Sequence, residues 1–215
     1  MTYVEIIGVM GTGKTSLLKV FNECAKYTPI TETEDQLKNL FFVEPYLEDP
    51  KKYGFEGGVN FTAFHLNRIQ EALHKLPPDA KVVVDTSLLT QYAYGKGCLS
   101  PQDLKLIGAL VKRSTEKLPT PDLRIVVHLP IDIHMQRLKE RGRESEKNVS
   151  REWLIATQKA IDETIEKFGD GVPTLYLDAS KYNWVSNDND KQEVLRLAEE
   201  KMKKKAPRNK PAPKI

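Results

Sequence analysis

A chain of 215 residues with 40% hydrophobic and 29% charged residues has the size of one ordinary α/β domain, and no apolar run approaches the roughly 20 residues needed to cross a bilayer. Cys24 and Cys98 lie far apart in no CxxC arrangement, which points to reduced thiols rather than a zinc site or a disulfide framework. The net charge of +3 is uneven: residues 201–215 carry seven Lys or Arg, three Pro and no acid, leaving the remainder net acidic. That segment reads as a disordered basic tail, either a solvated terminus or a handle for nucleic acid. The start, MTYVEIIGV, enters an apolar run at once, without the segments of a secretory leader, so a cytoplasmic location is expected.

The first apolar run, Tyr3 to Val9, reads as a buried strand and leads into Gly8-Val9-Met10-Gly11-Thr12-Gly13-Lys14-Thr15, a complete G-x-x-x-x-G-K-[ST] loop followed by a helical stretch from Ser16 to Ala25. Glycines let successive backbone N–H groups face a phosphate, and the next helix turns its positive end towards it. Gly8, Met10, Gly11, Thr12, Gly13, Lys14, Thr15 and Ser16 are therefore the expected ATP-binding set, with Lys14 on the β- and γ-phosphates and the Thr15 hydroxyl on Mg²⁺. No N-K-x-D guanine-reading element is present, which favours a small-molecule kinase using ATP or another triphosphate over a GTPase.

The second run, Leu40 to Val43, is expected to be a strand that delivers Glu44, ahead of Pro45, to the ligand crevice, where a carboxylate can act as general base or merely solvate a strand end. Phe55, Val59, Ala63, Leu66, Ile69, Leu73 and Leu76 then form one helical stripe, stopped by Pro77-Pro78-Asp79. The third strand, Val82 to Val84, ends in Asp85, the place for an acid that orients Mg²⁺ directly or through water. Ser100-Pro101-Gln102-Asp103 opens a helix. A fourth strand, Leu123 to Leu129, precedes a helix from Ile131 to Arg141 bearing Arg137 and Arg141 on one face, with Arg143 just past Gly142. Guanidinium groups there suit a lid closing over a charged transition state, although Glu140, Glu144 and Glu146 also offer local ion pairs. A helix from about Ser150 to Phe168 and a fifth strand, Thr174 to Leu177, follow. Strands alternating with helices imply a parallel sheet covered on both faces.

The order of P-loop, strand-Glu-Pro, strand-Asp-x-Ser and R-x-x-x-R-G-R-x-x-E resembles the deoxynucleoside kinase family over residues 3 to about 180. The resemblance implies a three-layer α/β P-loop NTPase fold, a five-stranded parallel sheet flanked by helices with a helical lid, and a homodimer. It makes Glu44 the catalytic base for a sugar 5′-hydroxyl, Lys14, Arg141 and Arg143 catalytic, Arg137 a further ATP contact, and Glu146 an acid at the 3′-hydroxyl. Three positions depart from the family pattern. Thr86 stands where an arginine is usual, Gly58 where a glutamine reads the base, and Asn60 where a tyrosine faces the sugar; with Phe55 these complete the expected substrate side. The adjacent glycines Gly57 and Gly58 either make room for something or break the helix.

The expected organisation is a kinase domain over residues 1–185, a C-terminal helix over 186–200 and the tail over 201–215. Three functions compete: transfer of the ATP γ-phosphoryl group to a nucleoside or deoxynucleoside, transfer to another hydroxyl such as that of a nucleotide or a modified base in DNA, and a nucleotide-binding module that has lost catalysis.

Overall fold

Alternation along the first strand sends Val4 and Ile6 to one face of the sheet and Tyr3, Glu5 and Ile7 to the other, and all are buried because helices cover both faces. The computed structural model describes residues 1–33, 36–37, 39–143, 146 and 149–203, so the tail beyond Lys203, and Glu144, lie outside the described residues. In chain order the elements are β1 (Thr2–Ile7), α1 (Lys14–Ala25), β2 (Thr28–Ile30), α2 (Val43–Glu48), α3 (Pro50–His74), β3 (Lys81–Asp85), α4 (Leu89–Gly95), α5 (Pro101–Thr115), β4 (Leu123–His128), α6 (Ile131–Arg141), α7 (Arg151–Phe168), β5 (Thr174–Asp178) and α8 (Asp188–Lys203). The five strands are all parallel, in the order β2-β3-β1-β4-β5.

On one face Leu17, Leu18 and Phe21 of α1, with Val194 and Leu195 of α8, cover Val4, Ile6, Val83 and Ile125. On the other, Leu66 and Ile69 of α3 and Ile107 of α5 meet Tyr3, Val82 and Val84, while Leu138 of α6 and Leu154 of α7 meet Ile7 and Val126. Each such side chain contributes about 1.5–3 kcal/mol when fully buried. Local signals agree with the helix starts. Ser100 caps α5 by accepting from the Asp103 N–H at 3.2 Å, Ser150 caps α7 through the Trp153 N–H at 3.1 Å, and Asp49 caps α3 through the Lys52 N–H at 3.1 Å.

The second strand is not where the apolar run suggested. Residues 40–42 form a turn and Val43 opens α2, whereas the edge strand is Thr28–Ile30, whose third residue alone is buried. The aromatic character of the run has another cause: Phe42 meets Phe61 of α3 edge-to-face at 4.9 Å. Pro29 is tolerated because β2 lies at the edge of the sheet. The glycine pair does not break α3, which is continuous from Pro50 to His74. A Cβ on Gly57 would lie 2.5 Å from Cδ2 of Tyr46, and one on Gly58 would lie 3.0 Å from Cδ1 of Ile107, so the pair admits the Tyr46 ring and the close approach of α5.

One buried ion pair sits inside the sheet. Arg124 of β4 faces Glu5 of β1 in register and donates from Nε to Oε2 at 2.9 Å, while its Nη1 donates to the Gly169 carbonyl at 2.8 Å and Tyr3 donates to Glu5 at 3.1 Å. Removing one partner leaves a buried charge without compensation. Glu5→Ala is expected to lower stability by about 3–5 kcal/mol in urea denaturation, with much of the loss recovered when Arg124→Met is added.

Candidate active site

Because the sheet is parallel, every strand releases its chain at the same edge, and residues following all five strands line one cavity of about 1390 Å³ there. Its donor end is the loop between β1 and α1. Gly11 and Gly13 have φ of 83° and 96°, backbone that L side chains avoid, and Gly13 passes directly into α1. Thr12 is fully buried and donates its hydroxyl to the Val9 carbonyl at 2.9 Å, so its side chain braces the loop; Gly8 likewise packs against Thr12 and Val127. Met10, Gly11, Gly13, Lys14, Thr15 and Ser16 face the cavity. Lys14 donates to the Val9 carbonyl at 3.2 Å, and the ring of His134 on α6 donates to the Met10 carbonyl at 2.5 Å, tying the loop to the helix that carries the arginines.

Asp85, at the end of β3, accepts from the Thr15 hydroxyl at 3.1 Å and from the Thr86 hydroxyl at 3.0 Å. Two hard oxygen donors at the mouth of a phosphate loop fit Mg²⁺, which keeps water and takes phosphate oxygens for the rest of its shell. On the lid side Arg137, Arg141, Arg143 and Glu146 all line the cavity. Arg137 donates to the Ala179 carbonyl at 3.2 Å, and Arg141 forms a two-pronged ion pair with Glu146, one arm being Nε to Oε2 at 2.9 Å. The four residues singled out in the sequence thus line one cavity, and Arg141 and Glu146 hold each other.

The acceptor side is composed differently from the expectation. Glu44 is exposed on α2 and does not line the cavity, because the run before it is not a strand. The acid two residues past the true second strand is Glu32, which does line it, with burial pushing its carboxyl above the usual range, Arg68 and Lys14 pulling it down and Asp85 pushing it up. Phe55, Gly58 and Asn60 also miss the cavity. Phe55 packs into the core under α3, Gly58 meets Ile107, and the Asn60 amide donates to the Glu56 carbonyl at 2.8 Å. The face of α3 that reaches the cavity carries Phe61 and His65, opposite Tyr46, Gln91 and Tyr94. Tyr46 and Tyr94 are both buried enough to raise their phenol pKa, that of Tyr46 to about 12, so they present neutral aromatic surface.

The deoxynucleoside kinase family model matches residues 4–203. The chain belongs to the deoxynucleoside kinase family. It is a kinase, and its relatives resemble it along most of their length. A deoxyadenosine kinase of Dictyostelium discoideum is 24% identical over 183 residues, covering 84% of this chain and 74% of that one. A deoxyguanosine kinase of Lactobacillus johnsonii is 25% identical over 219 residues, covering 94% and 93%. The structure of a deoxyadenosine kinase from M. mycoides with bound dATP superposes with a TM-score of 0.74 at 17% identity, covering 91% of this chain and 98% of that one, which bears out the three-layer parallel fold. Among the described residues no helix is long and apolar enough to cross a membrane.

Beyond the expected set, this kinase brings Glu32, His65 and Gln91 to the cavity, together with Tyr182 and Trp184 after β5. Trp184 lies 3.4 Å from where a Cβ on Gly13 would sit, against the phosphate loop. Glu32 follows a Thr-Pro-Ile segment too short to read as a strand, and the others sit in helices and loops whose facing is set by tertiary contacts.

His65 is buried beside Arg68, and both causes, burial first, lower its pKa from 6.5 to about 3. Since the unfolded imidazole protonates near 6.5, the stability tied to neutral His65 is complete above that pH and falls as pH drops towards 3. Wild type is therefore expected to lose more stability between pH 7 and pH 5 than His65→Gln, measured by urea midpoints; equal losses would contradict a neutral His65. Gly57→Ala should displace the Tyr46 ring and raise the KM for the acceptor several-fold, while leaving the KM for ATP within about twofold.

Proposed function

We propose that this kinase transfers the γ-phosphoryl group of ATP to the 5′-hydroxyl of a deoxynucleoside, with Glu32 rather than Glu44 as general base. The observation that carries the reading is a single cavity with a phosphate loop and lid arginines at one end and a partly buried carboxylate among aromatic rings at the other. The relatives' names, deoxyadenosine and deoxyguanosine kinases, make purine deoxynucleosides the first acceptors to try.

Phe61, Tyr46 and Tyr94 supply apolar surface for a base. With the base held there, the sugar hydroxyl is directed at Glu32. The hydroxyl O–H bond breaks, its proton passes to the Glu32 carboxylate, its oxygen bonds to the γ-phosphorus, and the bond to the β-phosphate oxygen breaks to release ADP. Lys14, Arg141 and Arg143 stabilise the charge on the transferring group, and Arg137 holds the donor phosphates or base. Mg²⁺, held through Thr15 and Asp85, would screen the phosphate charges. Partial burial suits Glu32 to the task, because a raised pKa makes it a better proton acceptor while Arg68 and Lys14 favour its ionised form.

The test is steady-state turnover with ATP, Mg²⁺ and deoxyadenosine or deoxyguanosine for Glu32→Gln and Glu44→Gln side by side. Glu32→Gln is expected to lose at least about 100-fold in kcat with ATP binding retained, and Glu44→Gln to stay within about threefold of wild type. The reverse pattern would restore Glu44 as the base.

A further inference from the structure

Arg68 stands on α3, one turn beyond His65, with a side chain only 10% exposed that does not line the cavity. Its Nη2 donates to the Asp85 carbonyl at 3.1 Å and lies 3.2 Å from Nδ1 of His65. Its Nε and Nη1 are buried without hydrogen-bond partners. Buried donors of this kind cost about 1–3 kcal/mol each, and more on a charged group, so a guanidinium kept in this position calls for a use. The anion within reach is Glu32, whose Oε2 is 3.3 Å from Nη2 and 3.4 Å from the His65 ring, yet is also buried without an aligned hydrogen bond. Charge holds the carboxylate near the guanidinium, while unused hydrogen-bonding capacity remains on both sides.

From this juxtaposition we infer that Arg68 is the positioning residue for the Glu32 base, anchoring the carboxylate from beneath the cavity floor and tying it to the end of β3. The inference rests on the proposed role of Glu32. Its physical motive is the weakness of β2: a three-residue edge strand with one buried side chain gives the segment beyond it little to fix a catalytic group. Through the Asp85 carbonyl, Arg68 instead ties Glu32 to the strand whose last side chain meets Thr15 of the phosphate loop, so the base and the donor phosphates share one frame. His65 completes the arrangement. Its ring lines the cavity with Nδ1 3.2 Å from Nη2 of Arg68 and 3.4 Å from Oε2 of Glu32, and packs nearly parallel to Phe61 at 5.9 Å. A fork of fixed N–H donors matches a carboxylate in a way that a flexible ammonium does not. Position 86, occupied by Thr86, supplies no cation, and its hydroxyl is engaged with Asp85.

The test is a double-mutant cycle in the full-length protein with deoxyadenosine and Mg-ATP, measuring kcat, KM and ATP affinity for wild type, Arg68→Met, Arg68→Lys, Glu32→Gln and Arg68→Met/Glu32→Gln. Arg68→Met is expected to lower kcat about 100-fold with ATP affinity within twofold, Arg68→Lys about tenfold, and the double variant no further than Glu32→Gln alone, because a residue acting only through Glu32 has nothing left to position. If Arg68→Met fails to fold, Arg68→Lys decides. A wild-type kcat in a folded Arg68 variant, or an additive loss in the double variant, overturns the inference while Glu32→Gln remains inactive. Turnover retained in Glu32→Gln itself would instead remove the base assignment on which the inference stands.

Discussion

All of the site depends on parallel pairing in the sheet. Five strands running in one direction release their chain at one edge, so the phosphate loop after β1, Glu32 after β2, Asp85 at the end of β3, the arginine helix after β4 and the aromatic segment after β5 converge without any one loop being long enough to build the site alone. The buried Glu5–Arg124 pair lies across the central β1–β4 ladder and reaches the end of α7 through Gly169, fixing the register from which the phosphate loop and lid helix depart. The positive end of α1 and the left-handed glycines of the loop open on that edge, a backbone arrangement that suits phosphate groups.

Donor and acceptor halves of the cavity are built on different physical terms. On the proposed reading the donor half uses backbone N–H groups, one lysine and the arginines of a helix that His134 latches to the loop. The acceptor half uses packing: Tyr46 rests over Gly57, Phe61 meets Phe42 and stacks on His65, and α5 closes against Gly58. Its charge is concentrated in the partly buried Glu32–Arg68 pair, packed with the neutral His65 ring and the Asp85 carbonyl. A kinase arranged this way can alter its acceptor by repacking aromatic side chains while the phosphate machinery stays as it is.

Four of the strands, the start of α5 and the bounds of α6 and α7 were legible because β-branched runs, a serine cap with proline and helical periodicity each report on local physics. The glycine loop between β1 and α1 was legible for the same reason, since its left-handed positions at Gly11 and Gly13 call for glycine. The second strand was not. Thr28–Ile30 is too short and too exposed to leave a hydrophobic pattern, whereas in Leu40 to Val43 Phe42 is buried against Phe61 of α3 while Phe41 stays exposed, and the Glu44-Pro45 pair beside it is simply the first turn of a helix, where a missing N–H goes unnoticed. The expected substrate side shifts with it: Phe55, Gly58 and Asn60 lie on α3 away from the cavity, and only the rotation of that helix against α5 and the sheet reveals that Phe61 and His65 reach it. No local property of the sequence encodes that rotation.

Phosphorylation of a nucleoside hydroxyl within this one cavity is best tested by product analysis. Wild-type protein incubated with ATP, Mg²⁺ and each of the common deoxynucleosides, nucleoside monophosphates and DNA can be followed by ³¹P NMR and mass spectrometry. Equal amounts of ADP and a deoxynucleoside 5′-monophosphate are expected. ADP without a phosphorylated nucleoside, or phosphorylation of only the nucleotide or DNA, would contradict that function.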